Sequence, residues 1–499
     1  MRISHNKGAK GDLQHVFRQL AAFAALIIVP LVCDSAAGAQ PAPSSTPIPQ
    51  QVPAPTATTT PHPSGPIPGL PGLTINGTLR AYDFARENQV QNAANPNRTA
   101  FNFGGSLHLD YALGNTPLHI ATTYFGAYPF GANGLRPQKN GQIDNTVPGF
   151  AMSTFDEAYL RYKDKRTSVT AGDQVINTPW TPTSDTRLKP VAFQGLDASY
   201  TFGPYVALGV SRMIRFEGRT SSAFNRNTLL TSQAAGQPSY TPHDTSGFLL
   251  ADLMIKPNKN VTASLNNYSF YDIANFFYGE VRGALAPDSS YNPTVAVQYV
   301  NEQSEGRRLI GRILNNTYGA QVGANLNRNV LFQVGFDTAP IRYDTIVATS
   351  AAAAGKGIFL PSGGTPTAAA LGGGVYRIAY GGIASPYSDS YATDPIFTTS
   401  ISQGMVDRHS PGTSYKAGLT FTPDNKRVRA ILSEAYYDYG NELGFNRTYE
   451  TNVDVTYFFS PVKKGTYKGL SFRERFADRQ QPTVPLDFKY IRTQLEYDF

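Results

Sequence analysis

Strict alternation of apolar and polar side chains, in stretches of about ten residues, is the feature that most limits how this chain can fold. At the end of the chain, Tyr497, Leu495 and Thr493 alternate with polar or charged neighbours up to the final Phe499. A period of two places successive side chains on opposite faces of a β-strand. A tilted strand of this length can cross a bilayer. The same alternation recurs in LTINGTLRAY (73–82), FDEAYLRYK (155–163), VLFQVGF (330–336), SYKAGLTFT (414–422) and YETNVDVTYF (449–458).

The connections between these stretches are sorted by length. Short polar turns lie near Asn115 and at 163–165, 203–204, 256–260, 327–329, 423–426 and 461–468. The other connections are long and rich in Gly, Ser, Asn, Thr and Pro, at 129–150, 217–245, 272–314 and 339–411. A β-sandwich in solution has no reason to sort its loops, whereas outer-membrane barrels have short periplasmic turns and long extracellular loops.

The predicted fold is therefore an all-β, transmembrane antiparallel β-barrel in the outer membrane of a bacterial cell. The seven short turns join fourteen strands, and a first and a last strand make sixteen. Because the gap at 272–314 or at 339–411 has room for one more hairpin, we expect 18 strands, with 16 possible. Periodicity alone does not decide between these two numbers.

The bilayer also requires the two edge strands of such a sheet to pair with each other. No run of about eighteen apolar residues exists, so an ordinary transmembrane helix is excluded. Unpaired backbone groups are costly in hydrocarbon, and the last strand must therefore pair with the first, at 73–84. The terminal Phe499, after alternate apolar residues, is also typical of the signal recognised by the bacterial barrel-assembly machinery, which we expect to be a partner.

Two segments precede the barrel. A basic leader, the thirteen-residue apolar run from Leu20 to Val32, and Ala37-Gly38-Ala39 predict a secretory signal peptide over 1–39. The single cysteine, Cys33, lies inside it, so the mature chain owes nothing to disulfides. Residues 40–72 hold eleven prolines and no Asp, Glu, Lys or Arg. They predict a disordered periplasmic linker, either a plain spacer or a tether for a partner. The barrel domain then covers 73–499.

Charged side chains on the inner face are the candidate functional residues. If apolar residues face lipid, the intervening positions face the lumen. A barrel of this size leaves an aqueous channel, and rings of Arg or Lys in a channel attract anions. The alternative is that these cations only pair with lumen acids and hold loops in place. Glu474 points outward between two inward arginines, so it must lie near the interface or be paired. Alternate positions of a strand share one face, and we call this rule parity. By parity, the inward cations are Arg80, Arg161, Lys416, Arg429, Arg473, Arg475 and Arg492, and the inward acids are Glu450, Asp454, Glu496 and Asp498.

Three segments resemble motifs of the OprD-type specific porins. GDQVINTPWTPTSDTRLKPVAFQG (172–195) is similar to their segment with a Gly, a Pro-containing stretch, then Arg-Leu-x-Pro and an aromatic residue followed by x-Gly. YATDPIFTTSISQGM (391–405) resembles their Asp-Pro-aliphatic-Phe-Thr loop segment. YKGLSFRERF (467–476) resembles their Leu-Lys-Gly-Leu-Ser strand near the C-terminus. The proline-rich leader departs from the family pattern, as does Lys189, where an aliphatic residue is commoner.

The resemblance implies an eighteen-stranded barrel narrowed by inward loops, with a basic ladder that guides a carboxylate past a constriction opposite an acidic or polar wall. On matching positions it implies that Arg187 lies on one constriction loop and Asp394 on the other. It also implies that Arg473 and Arg475 belong to the ladder. Arg80 joins them only by parity. The implied function is passive diffusion of small carboxylate-bearing solutes, amino acids or organic acids, without a cofactor.

Other functions stay open. A carbohydrate-selective or general porin is one alternative, and a plugged structural barrel or a barrel enzyme is another. We find no G-x-S-x-G and no H-E-x-x-H motif, so we expect no enzyme and no metal site. A formal net charge of +7 over 499 residues is too small an excess for a nucleic-acid partner. The expected partners are outer-membrane lipids and the solutes, and the protein is expected to be a monomer or a trimer.

Overall fold

Most of the predicted barrel domain is described by the structure. The computed structural model describes residues 71–89, 94, 96–129, 141–143, 151–183, 188–228, 245–355, 357–359, 368–388, 394–439, 447–462, 467–481 and 486–499. The predicted signal peptide, all but the last two residues of the predicted linker, and the predicted site residue Arg187 lie outside these residues. No helix in the described part has the length and apolar character needed to span a bilayer.

Eighteen antiparallel strands in this part of the chain form one sheet that closes on itself. They are β1 (Leu73–Glu87), β2 (Asn97–Ala112), β3 (Leu118–Tyr128), β5 (Met152–Lys163), β6 (Thr167–Gln174), β7 (Ala192–Phe202), β8 (Val206–Glu217), β9 (Phe248–Asn258), β10 (Val261–Phe270), β11 (Ala274–Ala284), β12 (Thr294–Ser304), β13 (Leu314–Asn327), β14 (Val330–Ala339), β18 (Gly412–Phe421), β19 (Val428–Asp438), β20 (Thr448–Phe458), β21 (Gly469–Gln480) and β22 (Phe488–Asp498).

Four short strands and one helix accompany the barrel. The three-residue β4 (Gly141–Ile143) pairs in parallel with the loop-side end of β2. In the connection between β14 and β18, a separate sheet forms in the order β15 (Arg342–Val347), β17 (Val375–Tyr380), β16 (Ala368–Gly372). The helix α1 (Ala351–Gly355) lies in the same connection.

The barrel closes between its first and last strands, as the sequence predicts. Strand β1 pairs antiparallel with β22 from Thr78 opposite Asp498 to Glu87 opposite Lys489. Beyond this register, the backbone N–H of Phe499 donates to the carbonyl of Gly77 at 3.0 Å, and the N–H of Gly77 donates back at 3.2 Å. From Gly77 to Glu87 the first strand is thus paired with the end of the chain, which closes the sheet as a bilayer requires.

Alternation assigns the two faces of each strand. On β22, Tyr497 is 45% exposed and Leu495 is 43% exposed, whereas Glu496 between them is 8% exposed. The exposed apolar row continues around the outer face of the barrel, and the polar row faces the lumen. The period of two seen in the sequence therefore separates the side chains that face lipid from those that face the lumen.

One end of the barrel, here called the turn end, carries the start of β1, the end of β22 and the short connections between strands. Seven of its eight described connections are the turns that the sequence predicts, and the eighth is 285–293, between β11 and β12. That hairpin occupies the gap at 272–314, so the expected number of 18 strands is the correct one. At the opposite loop end the connections are longer, although 271–273 is a tight turn. A positive φ of 62° at Gly203 closes the β7–β8 turn, a conformation that favours glycine.

Candidate functional site

A first inward loop between β6 and β7, described over residues 175–183 and 188–191, folds back into the lumen. Trp180 is fully buried, and its backbone N–H donates to the hydroxyl oxygen of Tyr268 at 3.2 Å. Tyr268 lies on the lumen face of β10 and donates in turn to Thr178 Oγ1 at 2.8 Å. The indole also packs edge-on against Phe276 of β11, with 5.7 Å between ring centroids. These contacts attach the loop to the inner wall instead of letting it extend outward.

A second inward loop between β17 and β18, described over residues 381–388 and 394–411, is held by polar side chains of the wall. Asp337 Oδ2 on β14 accepts the backbone N–H of Thr398 at 2.8 Å. On β20, Glu450 accepts both the backbone N–H and the hydroxyl of Ser402, at 2.8 and 2.7 Å. Since loop N–H groups in the lumen need acceptors, wall carboxylates supply them. Glu450, predicted to face inward, therefore anchors a loop.

The two inward loops meet beside the closing strands. Leu188 from the first loop and Ile401 from the second belong to one buried apolar cluster. The same cluster contains Tyr82 and Phe84 of β1 and Tyr490 of β22. The lumen is consequently narrowed on the side where β1 and β22 pair, and this constriction lies next to the predicted arginines.

A strip of six adjacent strands, β18 to β22 and β1, carries most of the predicted cations, and we call it the basic wall. Arg473 donates from Nε to Asp454 Oδ1 at 2.8 Å and from Nη2 to Oδ2 at 2.6 Å, while Arg475 Nε donates to the same Oδ2 at 2.8 Å. Arg429 interacts electrostatically with these three residues. One carboxylate therefore stands among three guanidinium groups. Such charge-assisted bonds hold the arginine forks in fixed orientations.

Two further cations of the basic wall lie on the two closing strands, β1 and β22. Arg492 faces Arg475 directly across β21 and β22, and its guanidinium lies 5.2 Å from the ring centroid of Tyr82. Arg80 pairs with Glu496 at 2.5 Å, and its Nη1 donates to the carbonyl of Leu188 at 3.5 Å. The arginine of β1 thus joins the wall to the first inward loop.

The remaining predicted residues have other positions. Lys416 on β18 donates from Nζ to the carbonyl of Thr399 at 2.5 Å and so holds the second inward loop. Arg161 lies on β5, three strands from β1, and donates from Nη2 to the Tyr159 hydroxyl at 2.8 Å. The structure therefore does not bring Arg161 together with the basic wall.

Asp394 lies on the second inward loop and binds that loop's own backbone. Its Oδ1 accepts the N–H of Ile396 at 3.0 Å and the hydroxyl of Thr399 at 2.6 Å. Burial raises the pKa of Asp394 to about 7, and the carboxylates of Asp337 and Asp407 act in the same direction. This carboxyl group shapes the loop and titrates close to neutral pH.

Acids on the other side of the lumen were not among the predicted site residues. Glu157 of β5 accepts a hydrogen bond from Thr123, which also contacts His108 Nδ1 at 2.7 Å. Asp197 of β7 accepts the Ser211 hydroxyl at 2.6 Å, and Asp252 of β9 interacts electrostatically with Asp197. The alternation in GLDASYTF and LLADLMI would have placed both aspartates inside. In the part of the chain that is described, no three His, Cys, Asp or Glu side chains group to hold a metal ion.

A family model describes the first half of this barrel. Residues 72–339 match the model of the outer membrane porins of the OprD family. The chain belongs to the OprD family of outer membrane porins. This porin is therefore a channel of the bacterial outer membrane for substrate-specific diffusion of small solutes. Its turn end is periplasmic and its loop end is extracellular.

Solved structures agree with the fold. The porin is similar to OccK9 (OpdG) of Pseudomonas aeruginosa, with a TM-score of 0.64 and 15% identity over 87% of this chain and 100% of that one. A BenF-like porin from Pseudomonas fluorescens Pf-5 has a TM-score of 0.64 and 13% identity, over 86% and 98% of the two chains. OpdK of Pseudomonas aeruginosa, solved with vanillate, has a TM-score of 0.61 and 13% identity over the same shares. A comparison with curated protein sequences gives no match.

Proposed function

We propose that this porin selects small solutes that carry a carboxylate, such as amino acids and organic acids. The observation that carries the proposal is the group of Arg429, Arg473 and Arg475 around Asp454, with Arg492 next to Arg475. Within this group four guanidinium groups surround or adjoin one carboxylate, so an anionic group that reaches them is attracted. The structure of OpdK, a similar barrel, contains vanillate, an aromatic carboxylate.

The mechanism is passive. The fixed charges of the basic wall lower the cost of removing water from a carboxylate as it passes the constriction. Because Asp454 already shares two of the arginines, a solute competes with an internal acid and is not bound tightly. Weak binding allows release on the periplasmic side, which a conducting pore requires. Acids at Glu157, Asp197 and Asp252 would accommodate a solute's amine, which is why amino acids are included.

A carbohydrate-selective pore has less support. Sugar-binding channels need aromatic faces exposed along the solute pathway. Here Phe193, Phe248 and Phe270 all pack against Tyr387 of the second inward loop, with centroids 5.3 to 5.6 Å apart. All four are buried, so these rings fill space beneath the loops.

Ion selectivity tests the proposal. We expect the double variant Arg473→Ala, Arg475→Ala to lose preference for anions, because two cations are removed and Asp454 is left without them. Each charge contributes about 1 kcal/mol at 4 Å even in water, which corresponds to roughly fivefold in permeability. The measurement is the reversal potential in planar bilayers under a salt gradient, followed by uptake of carboxylates into liposomes.

The matched control is Lys165→Ala with Lys259→Ala, which removes two cations from periplasmic turns. We expect its selectivity and its uptake to equal those of the wild type. If the arginine variant keeps the selectivity of the wild type, the basic wall is a scaffold and the proposed solute class is wrong.

A further inference from the structure

Lys189, at the position where this chain departs from the family pattern, is an ammonium group enclosed by two acids. Its side chain is fully buried, and Nζ lies 3.0 Å from Asp156 Oδ1 and 2.9 Å from Glu217 Oε1. Both carboxylates are themselves buried. A buried charge is tolerated only when partners compensate it. We call Lys189, Asp156 and Glu217 the lysine triad.

The two acids of the lysine triad come from strands on either side of the first inward loop. Asp156 is the extra residue of a β-bulge in β5, which turns its side chain toward the lumen. Glu217 is the last residue of β8. The loop itself joins β6 to β7, which lie between β5 and β8. One lysine therefore ties the loop to the wall on both of its flanks.

Leu188 and Pro190, the residues on either side of Lys189, link the bound position of the lysine to the constriction. Leu188 packs in the apolar cluster with Ile401 of the second inward loop, and its carbonyl accepts from Arg80 of the basic wall. Pro190 follows, and the residue before a proline is confined to extended conformations. The backbone between the triad and Leu188 consequently has little freedom, so where Nζ is bound decides where Leu188 lies.

We propose that Lys189 is a positioning residue that sets the width of the solute pathway, because its two ion pairs hold the first inward loop against the second loop and the basic wall. The solute does not touch Lys189. The inference rests on the channel function of the family and not on the solute class, so the two can fail separately: Lys189 acts on pore size, and the basic wall acts on charge selectivity.

Single-channel recording tests this role. We expect Lys189→Met to raise the conductance roughly twofold or more and to add current fluctuations, because the loop is released. Lys189→Arg keeps both ion pairs, and we expect the wild-type conductance. Lys165→Met, a change of the same kind in an exposed turn, is the matched control and also keeps it. Wild-type conductance in folded Lys189→Met channels would overturn the proposal.

A triple variant separates positioning from charge compensation. Lys189→Met alone leaves two acids buried without their cation, which can prevent folding. Lys189→Met with Asp156→Asn and Glu217→Gln removes all three charges, and the heat-dependent shift in electrophoretic mobility shows whether the barrel has formed. We expect this variant to fold and to conduct at the raised level. If it conducts at the wild-type level, Lys189 only neutralises the two acids and does not position the loop.

Discussion

A single strand shows how strongly residue parity controls chemistry in this porin. On β21, Arg473 and Arg475 are 4% and 2% exposed and bind Asp454 inside the lumen. Glu474, between them, points outward, where the sequence predicts that it must be near the interface or paired. The structure shows a partner, since Thr493 Oγ1 on β22 donates to Glu474 Oε2 at 2.6 Å. A hydroxyl one strand away makes an outward carboxylate tolerable.

Replacing that partner should reduce the stability of the barrel. We expect Thr493→Val to lower the free energy of unfolding by about 1–3 kcal/mol, the usual contribution of a hydrogen bond to a charged acceptor. The measurement is urea-induced unfolding from lipid bilayers. In a double-mutant cycle with Glu474→Leu, the effect of Thr493→Val should largely vanish. Equal effects of Thr493→Val in both backgrounds would show that this hydrogen bond does not stabilise the outward acid.

At the scale of elements, the two inward loops narrow the lumen of a wide barrel. Both are attached through polar side chains of the wall: Glu217 and Asp156 hold the first loop, and Asp337 and Glu450 hold the second. Wall carboxylates thus serve as anchors as well as counter-charges. The alternative raised by the sequence, that lumen charges hold loops in place, describes Lys416 and Glu450, whereas Arg473 and Arg475 bind an acid of the wall itself.

The second inward loop should respond to pH through Asp394. Its raised pKa, about 7, means that the folded loop binds this proton more tightly than the unfolded chain does. The contribution to stability is therefore present at low pH and is lost as pH rises through the window that ends near 7. We expect more frequent current fluctuations at pH 8 than at pH 6 in single-channel records.

Asp394→Asn supplies the control, because the amide stays neutral over this range. It should remove the difference between pH 6 and pH 8. The variant retains His409 on the same loop, whose pKa is lowered by burial, so any pH dependence left belongs to other groups. An unchanged pH dependence in Asp394→Asn would contradict the role assigned to Asp394.

At the scale of the whole molecule, Phe499 extends the pairing that closes the barrel. The ring of Phe499 packs on Gly77 at the outer face, and a side chain at Gly77 would collide with it. The backbone of these two residues forms the outermost hydrogen bonds of the β1–β22 pair. Phe499 thus completes the sheet, besides being the expected recognition signal for the assembly machinery.

Phe499→Ala should reduce the yield of folded barrel in liposomes, where no assembly machinery is present, and reduce it further in cells. Phe459→Ala removes an exposed aromatic side chain near the same end of the barrel but away from the closing strands, and it should have a smaller effect. The heat-dependent shift in electrophoretic mobility measures the folded fraction. If both variants fold equally well in liposomes and in cells, the terminal ring has neither role.

The sequence determined the barrel, seven of its short turns, the end at which turns are short and the inward direction of Arg80, Arg473, Arg475 and Arg492. These features follow from a period of two and from local turn residues, which are properties of neighbouring positions. Among the short connections at the turn end, the sequence did not predict the one between β11 and β12. Its nine residues, 285–293, have the length and composition of a loop.

The tertiary structure alone decided what the inward charges bind. Asp454 meets Arg473 and Arg475 because β20 and β21 have a particular register, and Arg161 is isolated because β5 lies three strands from β1. Lys189 finds Asp156 and Glu217 across 33 and 28 residues of chain. The odd or even position of a residue in a strand decides which face of the sheet its side chain occupies. Its partner on that face depends on register, bulges and loop anchoring, which arise only when distant segments pack together.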